Sequence, residues 1–319
     1  MFNHYTVMKY ELAEGLGLKN GSIAIDVTAG GGGHTAVLLE HVGKDGLVIA
    51  FDRDIKAINH LKAKFIKEID EKRLILVHDH FDNLKKHVEN LDLKGKINAI
   101  CADIGVSSPQ IDEAERGFSF INDGPLDMRM DNSQELSAYE VVNNYDETEL
   151  ARVIFQYGEE KKSRIIAKKI CELRKVEPID TTLKLANLIE NTIKYKTKSR
   201  KHPATKSFQA IRIEVNKELE QLSTLLLDGF EVLSASGYFG VITFHSLEDR
   251  IVKKDFKKLA KGTIKNKLPR NLPITEVELE KINDVKANLV KPFPIIPSDE
   301  EINENTRSRS AKLRIIQKL

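Results

Sequence analysis

Cysteine is scarce in this sequence, and long apolar runs are absent. The chain of 319 residues has two cysteines, Cys101 and Cys171, which cannot form a disulfide framework or a four-cysteine zinc site. No apolar run approaches the roughly 20 residues that a membrane span needs. The first residues, MFNHYTVMKYELAEGL, lack the basic start and apolar centre of a signal peptide. We therefore expect a soluble, cytoplasmic protein with no metal site and no membrane partner.

A large net charge of one sign is also lacking, because 50 Lys and Arg residues nearly balance 48 Asp and Glu residues. The basic residues are concentrated in three tracts, 194–206, 253–270 and 307–318, which together contain only one acidic residue. Two interpretations remain open. Such tracts are often solvated faces, and in a near-neutral protein they also fit a surface that binds phosphate groups.

Short apolar runs alternate with helical patterns in the N-terminal third of the chain. Strands are predicted at 22–27, 47–51, 73–78 and 97–103, with helices at 35–42, 54–69 and 82–91 between them. The α/β pattern resumes with a helix at 207–233, a strand at 237–244, a helix at 246–260 and a final strand, antiparallel, at 311–319. Strands that alternate with helices indicate a parallel, doubly wound sheet with right-handed crossovers.

The pattern changes in the middle of the chain. From about residue 112 to 206 the sequence shows capping boxes and helical periodicity but no run typical of a core strand. We therefore predict a discontinuous α/β domain at 1–111 and 207–319, and an inserted all-helical domain at 112–206. The segment 262–306 has no pattern that predicts its structure.

Four consecutive glycines follow the first predicted strand, in IAIDVTAGGGGHTA. A glycine turn at this point of a parallel sheet brings backbone N–H groups and a helix N-terminus to the crevice where ligands bind. A P-loop is excluded because GxxxxGK[ST] is absent. Two cofactor classes remain. From Gly31 the spacing satisfies the dinucleotide fingerprint GxGxxG/A. The stretch that begins at Asp26 also resembles the acid-x-G-x-G-x-G loop of class I S-adenosylmethionine-dependent methyltransferases. In this alignment Asp26 is the acid and Thr28 replaces the first glycine.

The ends of the next three strands carry candidate binding residues. Asp52 ends the second strand, where an acid can accept hydrogen bonds from ribose hydroxyls, which suits both cofactor classes. Phe81 follows the third strand, where an aromatic ring can stack on adenine. The His and Asp residues around it lack the regular spacing of a metal site. Asp103 ends the fourth strand, where it would hold a cofactor ammonium or a substrate amine, or cap a turn.

Several longer segments resemble one family. They are ADIGVSSPQIDEAERGFSFINDGPLDMRMD at 102–131, TAGGGGHT, FDRDIKAI, YGEEKKSRIIAKKI, HPATKSFQAIRIEVNKEL, FHSLEDRIVK and RSRSAKLR. In this order, and across nearly the whole chain, they are similar to the MraW family, also called the RsmH family. The segment HYTVM differs from the family by having Thr6 where proline is usual.

The resemblance implies a fold, a reaction and a set of residues. The family has the class I methyltransferase fold and transfers a methyl group from S-adenosyl-L-methionine to the exocyclic N(4) amine of a specific cytosine in 16S rRNA. The implied partner is 16S rRNA or the small ribosomal subunit, and the oligomeric state is open, a homodimer included. The family's cofactor site falls on Gly32, Gly33, His34, Asp52, Phe81, Asp103 and Gln110.

Asp103 and His245 are the candidate catalytic residues. A carboxylate or carbonyl that accepts a hydrogen bond from the cytosine amine would favour its reactive, pyramidal form, and Asp103 and the backbone of 107–110 are placed for this. His245, after the fifth strand, would line the substrate mouth or relay the departing proton, or it is a structural histidine. Methylation of a ring carbon would use a nucleophilic cysteine, and neither cysteine is well placed, which favours methylation of the amine.

The candidate RNA-binding residues are Lys198, Arg200 and Lys201, together with the C-terminal RSRSAKLR. Phosphate contacts from such residues would position an RNA without reading its sequence, and the target base would be unstacked before reaction. Two other classes compete with this interpretation. One is an RNA-binding assembly factor that has the fold without catalysis. The other is a DNA amino-methyltransferase, whose (S/D/N)PP(Y/F) motif is absent.

Overall fold

The computed structural model describes residues 6–193, 202–262, 275 and 284–319. Its strands form one seven-stranded sheet in the order β3-β2-β1-β4-β5-β7-β6. Their bounds are β1 Ile23–Asp26, β2 Leu47–Asp52, β3 Leu74–His78, β4 Ile97–Ile104, β5 Leu233–Thr243, β6 Ala287–Leu289 and β7 Lys312–Lys318. Strands β1 to β5 are parallel to their neighbours among themselves, and β7 is antiparallel to both β5 and β6. The predicted α/β doubly wound sheet, with an antiparallel final strand, is confirmed.

The helices are α1 Lys9–Gly15, α2 Gly33–Val42, α3 Ile55–Lys64, α4 Ile66–Asp70, α5 Leu84–Asn90, α6 Ser108–Asp112, α7 Ala138–Asn144, α8 Glu147–Gly158, α9 Ser163–Leu173, α10 Thr182–Thr192, α11 Thr205–Asn216, α12 Glu218–Val232, α13 Ser246–Lys261 and α14 Asp299–Glu304. In the described ranges, none of them has the length and apolar character to cross a membrane.

Apolar side chains cover both faces of the sheet, because alternate residues of a strand point to opposite faces. On one face, α1, α2 and α3 pack against β1 and β2 through residues such as Leu12, Leu38 and Leu61. On the other face, α5, α12 and α13 pack through residues such as Val88 and Phe256. The carboxyl ends of the parallel strands are therefore held on a rigid scaffold.

The chain divides into two compact units, Met1–Gly105 with Gln221–Leu319, and Val106–Glu220. The first unit contains the sheet. The second contains α6 to α11 and has its own apolar core, which includes Leu126, Val141 and Ile154. The predicted divisions lay at 111/112 and 206/207, some residues away from the divisions at 105/106 and 220/221.

Two predicted helices are each divided in the structure, and one segment without a prediction contains regular elements. The helix predicted at 207–233 is two helices, because Lys217 has a left-handed backbone with φ of +50° that ends α11. The helix predicted at 54–69 is likewise divided at Phe65, whose ψ of +36° is not helical. The segment without a predicted structure contributes β6 and α14.

Candidate active site

The candidate site lies where the sheet order reverses, between β1 and β4. The chain leaves β1 toward β2 on one side, and β4 lies on the other side. In open α/β sheets, ligands bind in the crevice beyond the carboxyl ends of such strands. Asp26 ends β1, Asp52 ends β2, and Asp103 is the penultimate residue of β4, so three acids meet at this edge.

The glycine loop runs from β1 into α2 and is fastened to β2. The N–H of Gly30 donates to Asp52 Oδ2 at 2.8 Å, and the N–H of Gly32 donates to the carbonyl of Ala29 at 2.7 Å. Gly32 is the residue before α2 and has φ of +74°, a conformation that favours glycine. A methyl group on Gly32 would lie 2.6 Å from both Leu61 and Phe65. The loop therefore has no room for a side chain at this residue.

The N-terminal segment packs directly on the loop. A methyl group on Gly33 would overlap the hydroxyl of Thr6, which stands where the family usually has proline. On its other side the loop contacts α3, where Lys64 Nζ donates to the carbonyl of Gly31 at 2.8 Å. These contacts show that the loop is held from both sides.

Asp26 is an internal anchor of the loop. It is fully buried, and its carboxylate accepts hydrogen bonds from the N–H of Thr28 at 3.1 Å and from the hydroxyl of Thr35 at 2.7 Å. Burial raises the pKa of Asp26 despite these hydrogen bonds. Because Asp26 is fully buried and both of its oxygens accept hydrogen bonds within the loop, it shapes the loop and is shielded from a ligand.

Asp52 joins two loops at the end of β2. Its two carboxylate oxygens accept hydrogen bonds from the N–H groups of Gly30 and Asp54, each at 2.8 Å. Burial raises the pKa of Asp52 to about 6, although both hydrogen bonds oppose the shift. Each oxygen has a second lone pair, so Asp52 can still accept hydrogen bonds from hydroxyl groups of a ligand.

Asp103 has the most unusual environment at this edge. Its side chain is 16% exposed, and the described residues offer its Oδ1 atom no hydrogen-bond partner. Its backbone N–H donates to the hydroxyl of Thr28 at 2.7 Å, which fixes the residue beside the glycine loop. Burial raises the pKa of Asp103 to about 8, and the negative charges of Asp26, Glu248 and Glu301 add to the shift. A buried carboxylate oxygen without a partner fits a cationic or amine group of a ligand.

His34 links Asp103 to the N-terminal segment. Its Nε2 atom lies 3.0 Å from the carbonyl of Val7, and its Nδ1 atom lies 3.9 Å from Asp103 Oδ2. Burial lowers the pKa of His34 to about 4, so the ring is neutral at pH 7. Because a carbonyl can only accept, Nε2 carries the proton and Nδ1 faces Asp103 as an acceptor.

Phe81 begins a short 3-10 helix, Phe81–Asn83, after β3 and packs half-buried against the sheet core. The neighbouring polar residues interact with one another. Asp79 accepts hydrogen bonds from the N–H of His80 at 2.7 Å and from the side chain of Asn83 at 2.9 Å, and its other oxygen lies 2.7 Å from His87 Nε2. The predicted aromatic ring therefore lies at the same edge of the sheet as the glycine loop.

His245 is the residue before α13 and takes part in a capping box with Glu248. Its Nδ1 atom accepts from the N–H of Glu248 at 3.5 Å, while Glu248 Oε2 accepts from the N–H groups of Phe244 at 2.9 Å and His245 at 3.2 Å. This gives His245 a structural role. His245 also lies two residues beyond Thr243, which pairs with Ile104 of β4. It is therefore at the same edge of the sheet as the candidate site.

The remaining predicted residues belong to other segments of the chain. Gln110 belongs to the second unit, where it is buried and its side-chain oxygen accepts from the N–H of Ser107 at 2.9 Å. Lys198, Arg200 and Lys201 lie outside the described residues. In the C-terminal RSRSAKLR, Arg314 is buried, and its Nε donates to Asp249 at 2.8 Å, so this arginine is unavailable to RNA.

Three contacts of the site escaped sequence reasoning. They are the carbonyl of Val7 on His34, the hydroxyl of Thr6 on Gly33, and the carboxylate of Glu301, which accepts from the N–H of Met8 at 2.8 Å. Met8 and Glu301 are 293 residues apart in the sequence, and no periodicity or spacing signals such a pair.

The MraW methylase family matches residues 1–319. The chain belongs to this family. A curated relative from Lactobacillus johnsonii, ribosomal RNA small subunit methyltransferase H, is 45% identical over 322 residues, covering 100% of this chain and 99% of its own. The protein of the same name from Shewanella woodyi is 46% identical over 318 residues, covering 100% and 98%.

Solved structures are more distant. A crystal structure of an rRNA methylase from Streptococcus thermophilus aligns over 97% of this chain and 92% of its own, with 12% identity and a TM-score of 0.40. That likeness is too weak to add to the assignment. Family membership confirms the resemblance, the class I methyltransferase fold and S-adenosylmethionine as the cofactor of the family.

Proposed function

We propose that this protein transfers a methyl group from S-adenosylmethionine to the exocyclic N4 amine of a specific cytosine in 16S rRNA of the small ribosomal subunit. The proposal rests on the sheet edge where the glycine loop, Asp52 and Asp103 meet, in a member of a methylase family. Asp103 Oδ1 has no hydrogen-bond partner among the described residues. The curated relatives, named small-subunit rRNA methyltransferases, support the substrate class. With this substrate, the protein acts in the cytoplasm.

The proposed cofactor site consists of Gly32, Gly33, His34, Asp52, Phe81, Asp103 and Gln110. When bound, S-adenosylmethionine supplies a methyl group activated by its sulfonium charge. Asp52 would accept hydrogen bonds from the ribose hydroxyls, and the bare backbone at Gly32 would allow close approach. Phe81 would pack on the adenine ring.

Asp103 would interact with one of two groups, the ammonium of the cofactor or the amine of the cytosine. Three further carboxyl groups, those of Asp26, Glu248 and Glu301, surround it closely enough to raise its pKa, so the edge attracts positive charge. Once ionised, Asp103 can accept a hydrogen bond from the cofactor's ammonium group or from the cytosine amine. In the second case it would localise the nitrogen lone pair, and methyl transfer would need mainly correct positioning of the two reactants.

The two cysteines favour methylation of an amine over methylation of a ring carbon. Cys101 is buried within β4, and burial together with Asp26 and Asp103 raises the pKa of its thiol well above its usual value. Burial also raises the pKa of Cys171 in α9. A ring-carbon mechanism needs a nucleophilic thiolate, and neither cysteine supplies one at neutral pH.

The proposal predicts which modified nucleoside the enzyme makes. Purified protein, S-adenosylmethionine and small subunits from cells lacking this gene should yield one N4-methylcytidine per 16S rRNA after digestion to nucleosides. Chromatography with mass spectrometry separates this product from 5-methylcytidine of equal mass. Free 16S rRNA should be tested in parallel. Formation of 5-methylcytidine would contradict the site of transfer, and RNA binding without methylation would indicate an assembly factor.

A further inference from the structure

The outer face of α13 carries a continuous group of basic side chains. Counted at the helical repeat of 3.6 residues, Arg250, Lys253, Lys254, Lys257, Lys258 and Lys261 share one side of the helix. The opposite side carries Val252 and Phe256, which are fully buried in the sheet core. We call the first side the lysine face. Its side chains are exposed, apart from Lys257, which is half-buried.

Four of the six cations on this face have no partner among the described residues. Within the described ranges, Lys253, Lys254, Lys257 and Lys258 have neither an ion-pair nor a hydrogen-bond partner. Asp249, one turn before them, already accepts from Arg314 at 2.8 Å and Lys312 at 3.2 Å. Asp255 is the only acid from 250 to 261, and it lies toward the flank of the helix.

The lysine face begins close to the candidate active site. Helix α13 follows β5, and near the end of β5 Ile242 pairs with Asp103 of β4. At a rise of ~1.5 Å per residue, Lys253 and Lys254 lie roughly 11 to 12 Å along the helix from Ser246. An RNA whose target base enters the strand edge would therefore bring its neighbouring phosphates within reach of this helix.

We propose that the lysine face of α13 binds the sugar–phosphate backbone of the substrate RNA, an inference that rests on the proposed function. The six residues that define the face are all basic, and the flanking Ile251 packs against the core. A protein partner would need an apolar anchor, which the face does not offer. Phosphate contacts need only positive charge.

The test is a charge reversal with a control of equal charge. In the variant Lys254→Glu/Lys257→Glu, affinity for a 16S rRNA fragment should fall roughly tenfold or more, and the slope of log affinity against log salt should decrease by about 1 to 2. The control Lys19→Glu/Lys44→Glu has the same net charge. Its substitutions precede β1 and β2, at the opposite edge of the sheet, and it should bind RNA like the unmodified protein. S-adenosylmethionine affinity should be unchanged in both.

Each outcome bears on the inference. If the α13 variant and the control keep the unmodified salt slope while the unmodified protein methylates 16S rRNA, the inference is wrong and the proposed function stands. If the unmodified protein neither binds nor methylates the RNA, the proposed function fails and the inference with it. The milder variant Lys254→Gln/Lys257→Gln should weaken RNA binding to an intermediate degree. If the charge-reversal variant folds poorly, this variant tests the inference in its place.

Discussion

Replacing Asp103 by asparagine is expected to weaken binding of S-adenosylmethionine and methyl transfer by roughly a hundredfold, with little change in fold. The exchange keeps the shape of the side chain, removes its ability to become a carboxylate and replaces one acceptor oxygen by an NH2 donor. Asp103 Oδ1 is buried without a partner among the described residues, and in the proposed function a charged group of the cofactor would be its partner. A hydrogen bond to a charged group contributes about 1.5 to 3 kcal/mol, which is up to ~150-fold in affinity. Calorimetric titration measures the loss directly.

The same titration has a readout that depends on protonation. Burial and three nearby acids raise the pKa of Asp103 to about 8 in the free protein, so it is mostly protonated at pH 7. A cationic ligand favours the ionised form, and binding must expel the proton. At about pH 6.5 the unmodified protein should release close to one proton more than Asp103→Asn, and its affinity should rise toward pH 8. Titrations in buffers of different ionisation enthalpy measure the release.

Asp92→Asn is the matched control, because Asp92 is a fully exposed acid between α5 and β4, at the opposite end of β4 from Asp103. It should bind the cofactor with unchanged affinity and unchanged proton release. Asp103→Asn with normal affinity, or equal proton release by all three proteins, would remove Asp103 from the cofactor site.

Replacing Gly32 by alanine is expected to lower the free energy of unfolding by about 2 to 4 kcal/mol and to abolish measurable cofactor binding. Two effects add. The φ of +74° is strained for alanine, and the new methyl group would lie 2.6 Å from Leu61 and Phe65. The displaced loop would also lose the hydrogen bond from Gly30 to Asp52. Denaturant unfolding and calorimetry measure the two losses.

Gly95→Ala separates the effects. Gly95 has nearly the same backbone conformation, with φ of +75°, but no atom lies within 4 Å of the added methyl group. It should lose only about 1 to 2 kcal/mol from strain, and cofactor binding should be unchanged. Equal destabilisation of both variants, with cofactor binding preserved in Gly32→Ala, would show that the tight packing of the loop is unimportant.

The sequence predicts most of the sheet because its strands are short apolar runs with clear ends. The four N-terminal strands agree with the prediction to within one residue at each end. Strand β6 is not predicted from the sequence because it has three residues, which are too few for a periodic pattern. The end of α11 at Lys217 is not predicted from the sequence for another reason. Lysine is a good helix former, and its left-handed backbone comes from tertiary structure rather than from local preference.

The candidate site is predicted in part for the same reason. Residues at strand ends, such as Asp52 and Asp103, can be placed because parallel strands present their carboxyl ends at one edge. The environment of each residue depends on contacts distant in sequence. The neutral state of His34, its hydrogen bond to Val7 and the raised pKa of Asp103 all depend on packing that only the folded chain shows.

The central claim is that the edge formed by the glycine loop, Asp52 and Asp103 binds the adenosyl cofactor. A crystal structure of the full chain with S-adenosylhomocysteine tests it most directly. The account predicts electron density against the backbone of Gly32, with the ribose hydroxyls hydrogen-bonded to Asp52 and the amino acid end facing Asp103. Density at any other place on the chain, with this edge left to water, would contradict it.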